Sequence, residues 1–205
     1  MQSDPERILT FWFGRAADDP AEAAAREAFW FGASREADSL IRERFGSAVE
    51  AAARREFDSW LQAPHSALAL VLLLDQFPRN LWRGTAKAFA HDAQALGAAR
   101  EAVSRGHFRN LAPIEQAFLV LPFQHSESID DQHESVRFSS EIAQAAPEAW
   151  RPLLEGYLQF AKEHLALIER FGRFPHRNQV LGRAPSAEEE EYSSKGGASF
   201  GQGAC

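Results

Sequence analysis

An acidic residue and two arginines stand directly after the most apolar segment of this chain. Asp75 and Arg79 are four positions apart and Arg83 follows four positions later, so continued helical geometry places the three side chains on one face. Guanidinium groups bind a carboxylate or a phosphate through paired hydrogen bonds. This motif, which also holds Asn80, indicates either an anion site or an ion pair that fastens a kink expected at Pro78.

A second motif combines a histidine with a carboxylate. Pro122 is predicted to break an apolar helix, and His125 and Glu127 follow the break. Because histidine titrates near neutral pH, this pair is the best candidate for acid/base chemistry. Residues two apart on a helix do not face each other, so contact requires the break to reshape the turn. The alternative is that Glu127 only caps the next helix.

The third motif resembles the first. Segment 174–178 repeats segment 77–80 with one inserted residue, and this places His176, Arg177 and Asn178 after another apolar helix. Such a short repeat also arises by chance. A ligand that is anionic suits the arginines of both segments.

The histidines do not predict a metal site. His164 lies beside the apolar stripe of the last long helix, where a histidine is usually a satisfied core residue. His125, His164, His176 and Glu127 have zinc-compatible atoms, but no HExxH-like spacing joins any two of them. Glycine-rich phosphate loops and a GxSxG elbow are also absent from the sequence, so no cofactor is expected.

Helical periodicity runs through nearly the whole chain, and no segment has a convincing strand pattern. Caps and breakers divide it into about eight to ten short helices, some paired as helical hairpins. We therefore expect a compact all-α array. Residues 1–183 are predicted to form a single domain, and residues 184–205 an acidic, Gly/Ser-rich C-terminal tail.

Composition excludes several classes of protein. The formal net charge of -7 disfavours extended nucleic-acid binding. The longest apolar run, residues 67–74, is far shorter than the roughly 18 residues of a membrane-spanning helix. An acidic N-terminus does not suit a secretory signal, so a cytoplasmic location is expected. The single cysteine, Cys205, leaves no disulfide framework.

The three motifs together resemble those of a bacterial domain-of-unknown-function family, number nine-two-four. The segments that carry the resemblance are residues 74–80, 122–127 and 171–178, and it covers nearly the whole chain. The resemblance implies an all-helical, tetratricopeptide-like fold. It implies no established activity, so it transfers no catalytic role.

We predict that the three motifs line one pocket for a small anionic ligand, a carboxylate or a phosphate. The expected ligand-binding residues are Asp75, Arg79, Asn80, Arg83, His125, Glu127, His164, His176, Arg177 and Asn178. An enzymatic version would use His125 or Glu127 as acid/base and Arg79 or Arg177 to stabilise negative charge, in hydrolysis or group transfer.

Two alternatives remain open at the level of sequence. The chain could be an interaction module whose groove holds an extended peptide, as helical-repeat arrays do. The charged motifs could also serve only as structural locks at helix junctions. The sequence does not decide between an enzyme and a binding protein.

Overall fold

The computed structural model describes residues 4–32 and 34–200, and within them all regular secondary structure is helical, as predicted. The α-helices are α1 (Pro5–Phe13), α2 (Pro20–Phe31), α3 (Arg35–Ala53), α4 (Pro64–Leu74), α5 (Gln76–Leu81), α6 (Asp92–Ser104), α7 (Pro113–His125), α8 (Ile129–Ala145), α9 (Arg151–Phe171) and α10 (Ala187–Ser194). Short 3-10 helices join several of them. The tetratricopeptide-like pairing of the helices stays a prediction.

Helices α1 and α2 begin in the same way. Asp4 accepts a hydrogen bond from the backbone N–H of Glu6 at 3.0 Å, and Asp19 accepts one from Ala21 at 2.8 Å. A proline occupies the first position of each helix, where its missing N–H costs nothing. These caps fix the start of each helix, and near the helix ends Trp12, Phe13 and Trp30 are buried in the core.

Helix α4 is the central buried element. Every residue from 67 to 74 is buried, and the helix packs against α1, α3, α6 and α7. Burying one leucine contributes about 1.5–3 kcal/mol, so this helix is a major source of stability. The segment that follows α4 therefore begins in the interior of the protein.

The kink after α4 lies at Asp75, and the expectation that it falls at Pro78 is wrong. Helix α4 ends at Leu74, and α5 starts at Gln76. Proline has no N–H, and its ring clashes with the carbonyl four residues earlier. For Pro78 that carbonyl belongs to Leu74, so the helix breaks one turn before the proline.

Helix α7 continues through Pro122 to His125, so the predicted break there is also incorrect. Only one helical turn follows the proline, and a side chain of α8 provides hydrogen bonds to the end of α7. The side-chain amide of Gln132 in α8 donates to the carbonyls of Gln124 at 2.7 Å and Ser126 at 2.6 Å. These bonds satisfy carbonyls that a helix end leaves free.

The segment after residue 184 packs against the end of α9. Gly172 ends α9 with φ 68°, a left-handed conformation that favours glycine. Glu189 of α10 is 2 % exposed and binds Arg173 at 2.6 Å and Asn178 at 3.1 Å. The turn that carries the third motif is thereby held between α9 and α10.

Across residues 4–32 and 34–200, none of the helices combines the length and the apolar character that crossing a lipid bilayer requires.

Candidate functional site

The three sequence motifs meet at one cleft with a volume of about 60 Å³. Seven of the ten residues expected at a pocket line it, namely Arg79, Asn80, Arg83, His125, His164, His176 and Arg177. The other lining residues are Trp30, Phe31, Gln76, Phe89 and Phe200. The cleft therefore joins α5, the end of α7, the middle of α9 and the turn after α9.

Three of the expected residues do not line the cleft. Asp75 is completely buried behind it. Glu127 accepts two hydrogen bonds from Arg183, at 2.7 and 3.0 Å, and one from the backbone N–H of Phe174 at 2.8 Å. Asn178 donates to Glu189. All three hold the walls of the cleft in place through contacts inside the protein.

Both carboxylate oxygens of Asp75 are bound within the protein. It accepts hydrogen bonds from Gln76 Nε2 at 2.6 Å and His125 Nδ1 at 2.8 Å, and its Oδ1 lies 3.1 Å from Arg79 Nη1. Burial by itself raises the pKa of a carboxyl group, but here Arg79 and His125 outweigh it and hold the pKa of Asp75 below its ordinary range. Asp75 is therefore a fixed negative charge.

His125 has one nitrogen bound and one available. The Asp75 carboxylate can only accept, so His125 donates through Nδ1, and Nε2 carries the lone pair in the cleft. Burial and then the charge of Arg79 lower the pKa of His125, which keeps the ring neutral at pH 7. A neutral imidazole oriented by a carboxylate is the arrangement of a general base.

The predicted acid/base pair of His125 and Glu127 is wrong. Because α7 continues to His125, the imidazole points to the kink before α5, where Asp75 lies. Glu127 follows the end of the helix and faces Arg183 instead. The carboxylate partner of His125 comes from a different motif.

Asp92, the first residue of α6, joins the first and third motifs. Its carboxylate accepts hydrogen bonds from Arg79 and Arg177, each at 3.1 Å, and a second contact to Arg79 is 2.9 Å long. Sequence reasoning missed this residue, which stands outside all three motifs. No signal in the sequence links Asp92 to either motif.

Arg177 is a buried cation with incomplete partners. Its Nη1 binds Asp92, and its Nη2 donates to the His125 carbonyl at 3.0 Å, but its Nε is buried and has no partner among the described residues. Phe89 and Phe174 lie 4.5 and 4.6 Å from its Cζ. Burial lowers the pKa of Arg177 to about 10, so the group stays charged at neutral pH.

His164 and His176 are both neutral at pH 7, because burial lowers the pKa of each to about 3. His164 Nδ1 donates to the Phe160 carbonyl at 2.8 Å, which leaves its Nε2 as an acceptor. Its ring stacks on Phe200 with centroids 3.7 Å apart. His164 is therefore the buried histidine that the sequence suggests, and it also lines the cleft.

Arg83 does not share a face with Asp75 and Arg79, contrary to the expectation from spacing. Helix α5 ends at Leu81, and Arg83 turns towards α3, where its Nε lies 3.2 Å from Asp38. Asn80 donates to the same carboxylate at 2.9 Å. The contacts of Asn80 and Arg83 with Asp38 close the side of the cleft that faces α3.

The chemistry of the cleft is that of guanidinium donors and imidazole acceptors. In the part of the chain that the structure describes, no three His, Cys, Asp or Glu side chains are arranged to hold a metal ion. The arginine N–H groups can donate hydrogen bonds to an anion, and a neutral histidine nitrogen can accept a proton.

The fold and the cleft define an all-α protein with an arginine- and histidine-lined site. The chain belongs to the bacterial family described as "Bacterial protein of unknown function (DUF924)", whose model matches residues 8–197. It is also similar to a solved protein of unknown function from Agrobacterium tumefaciens, with 40% sequence identity and a TM-score of 0.79 over 94% of this chain and 97% of that one. No curated protein matches the sequence. The resemblance noted in the motifs is confirmed.

Proposed function

We propose that the protein binds a small anion, a carboxylate or a phosphate, in this cleft. One observation carries the proposal: Arg79, Arg83 and Arg177 line the cleft, whereas the carboxylates that pair with them do not. Those carboxylates are Asp38, Asp75 and Asp92. The surface that a ligand meets is therefore cationic although the charges balance overall.

Arg177 is the group that gains most from an anion. Its charge is removed from water and faces two aromatic rings, and it shares the Asp92 carboxylate with Arg79. A buried charge with incomplete partners is costly, and an anionic ligand lowers that cost. We expect Arg177 to supply a large part of the binding energy.

An enzymatic form of the proposal uses the Asp75–His125 pair. His125 Nε2 would take the proton of a water or hydroxyl group as its oxygen attacks an acyl or phosphoryl centre. The arginines would stabilise the negative charge that develops, and the imidazolium would return the proton to the leaving group. This is hydrolysis or group transfer, the chemistry suggested by the sequence motifs.

A peptide-binding module is the second candidate. The same arginines would then hold a terminal carboxylate. The volume of the cleft, about 60 Å³, suits a small anion better than a segment of peptide, and this favours the first candidate. The lock role suits Glu127 and Asn178, whose contacts lie outside the cleft.

Calorimetric titration with inorganic phosphate and with acetate tests the proposal. We expect saturable binding to the wild-type protein and an affinity about tenfold weaker in Arg177→Lys, which keeps the charge but loses the planar fork. Arg109→Gln is the matched control, because Arg109 is 82% exposed in its side chain and pairs with Glu141 away from the cleft. Equal affinities in the wild type and Arg177→Lys, or no binding of any anion, would overturn the proposal.

A further inference from the structure

An apolar chamber of about 360 Å³ adjoins the cleft. Four side chains line both spaces, namely Phe31, His125, His164 and Phe200. Leu121, Tyr157 and Phe160 complete a wall that is mostly carbon, with Glu27 and Gln124 as its remaining members. A molecule bound at the arginines therefore has apolar space directly beside it.

Two large aromatic side chains of this chamber are exposed to water. Phe160 is 55% exposed and Phe31 is 43% exposed. In the described part of the chain, only two other large hydrophobic side chains, Ile129 and Leu181, are exposed to a similar degree. Exposed apolar surface gathered at a concave site marks a place where an apolar group binds.

One acidic side chain of the chamber selects against a second negative charge. Glu27 lines the chamber and places a carboxyl group at its wall. A neutral chain end is compatible with this environment, whereas a carboxylate there would be repelled by Glu27.

From this arrangement we infer that the ligand is an amphipathic molecule with one anionic head group. Its carboxylate or phosphate head lies at Arg79 and Arg177, and its apolar tail extends past His125 and His164 into the chamber. The inference rests on the proposed function for the position of the head group. It adds that the ligand has a hydrophobic tail and that only one end of the ligand is charged.

A chain-length series tests this inference. The probes are acetate, hexanoate and octanoate, all used as monomers, with hexyl phosphate to compare the two head groups and octanedioate as the doubly charged counterpart. Burying a methylene group corresponds to roughly a fourfold gain in affinity. We expect hexanoate to bind at least about tenfold more tightly than acetate, octanoate more tightly still, and octanedioate more weakly than octanoate.

Variants of the chamber separate the tail from the head. Phe160→Ala should reduce the gain from acetate to octanoate by about tenfold and leave acetate binding unchanged. Ile129→Ala is the control, because Ile129 is 40% exposed and does not line the chamber. Glu27→Gln should bring the affinity for octanedioate to within about twofold of that for octanoate.

The outcomes distinguish the inference from the proposed function. Binding of acetate and phosphate that does not strengthen with chain length would overturn the inference and leave the anion site standing. The proposed position of the tail would also be overturned if the affinity of Phe160→Ala increased from acetate to octanoate as much as that of the wild type. If neither short nor long anions bind, the inference fails together with the proposed function.

Discussion

Arg79 and Arg177 donate to the same carboxylate oxygen, Asp92 Oδ2, each over 3.1 Å. They occupy equivalent places in the two related segments, 77–80 and 174–178. The likeness between these segments therefore has a structural counterpart: both present an arginine to one acid on α6. Two like charges are held side by side, and both line the cleft.

Asp92→Asn should weaken the fold and strengthen anion binding. The substitution leaves two buried guanidinium groups without their shared negative charge, and breaking such a pair costs about 3 kcal/mol. A bound anion then replaces the missing charge, so phosphate affinity should rise about tenfold. Urea unfolding with and without phosphate measures both effects. A variant with lower stability but unchanged phosphate affinity would contradict this prediction.

Acid should destabilise the protein through its buried histidines. The pKa of His164 is lowered to about 3 in the folded state, so between pH 6.5 and pH 3 the unfolded chain binds a proton that the folded protein does not. Stability is therefore lost as pH falls below 6.5, by about 1.4 kcal/mol per pH unit at most for this group. His176, whose pKa is also lowered to about 3, acts with the same sign.

Unfolding of His164→Gln in urea at pH 7 and pH 5 checks this prediction. The variant should lose less stability than the wild type over that interval, because it has no imidazole to protonate. His133→Gln is the control, since His133 is exposed on α8. An equal loss in wild type and His164→Gln would show that His164 does not contribute.

Glu127 and Arg183 should behave as a structural lock. Glu127→Gln weakens a two-pronged ion pair and should cost about 1–3 kcal/mol of stability. A double-mutant cycle with Arg183→Gln should give a coupling energy of at least about 0.5 kcal/mol. Additive losses would mean that the pair contributes no coupling to the fold.

Local sequence patterns predict the helices and the burial of α4, because periodicity and caps act over a few residues. The exact effects of Pro78 and Pro122 depend on tertiary partners. Pro78 ends a helix one turn upstream, whereas α7 passes through Pro122 with its end satisfied by Gln132. A proline in the sequence shows that helical hydrogen bonding is disturbed nearby. It does not show which residue compensates for the disturbance.

Most of the residues that line the cleft could be predicted from the sequence, but the acidic partners of its arginines could not. The three motifs identify arginines and histidines after apolar helices, and seven of the ten named residues line the cleft. The partners Asp92 and Asp38 come from other helices and carry no local signal. The aromatic walls, such as Phe31 and Phe160, look like ordinary core residues in the sequence.

The most direct test of an anion site is the nuclear magnetic resonance signal of the Arg177 side-chain Nε–H during titration with phosphate. This group is buried and has no partner among the described residues, so a bound anion should change its environment. We predict a saturable shift of that signal, absent from the spectrum of Arg177→Lys, while the Arg109 signal stays in place. An Arg177 signal that does not move at saturating phosphate would contradict the account.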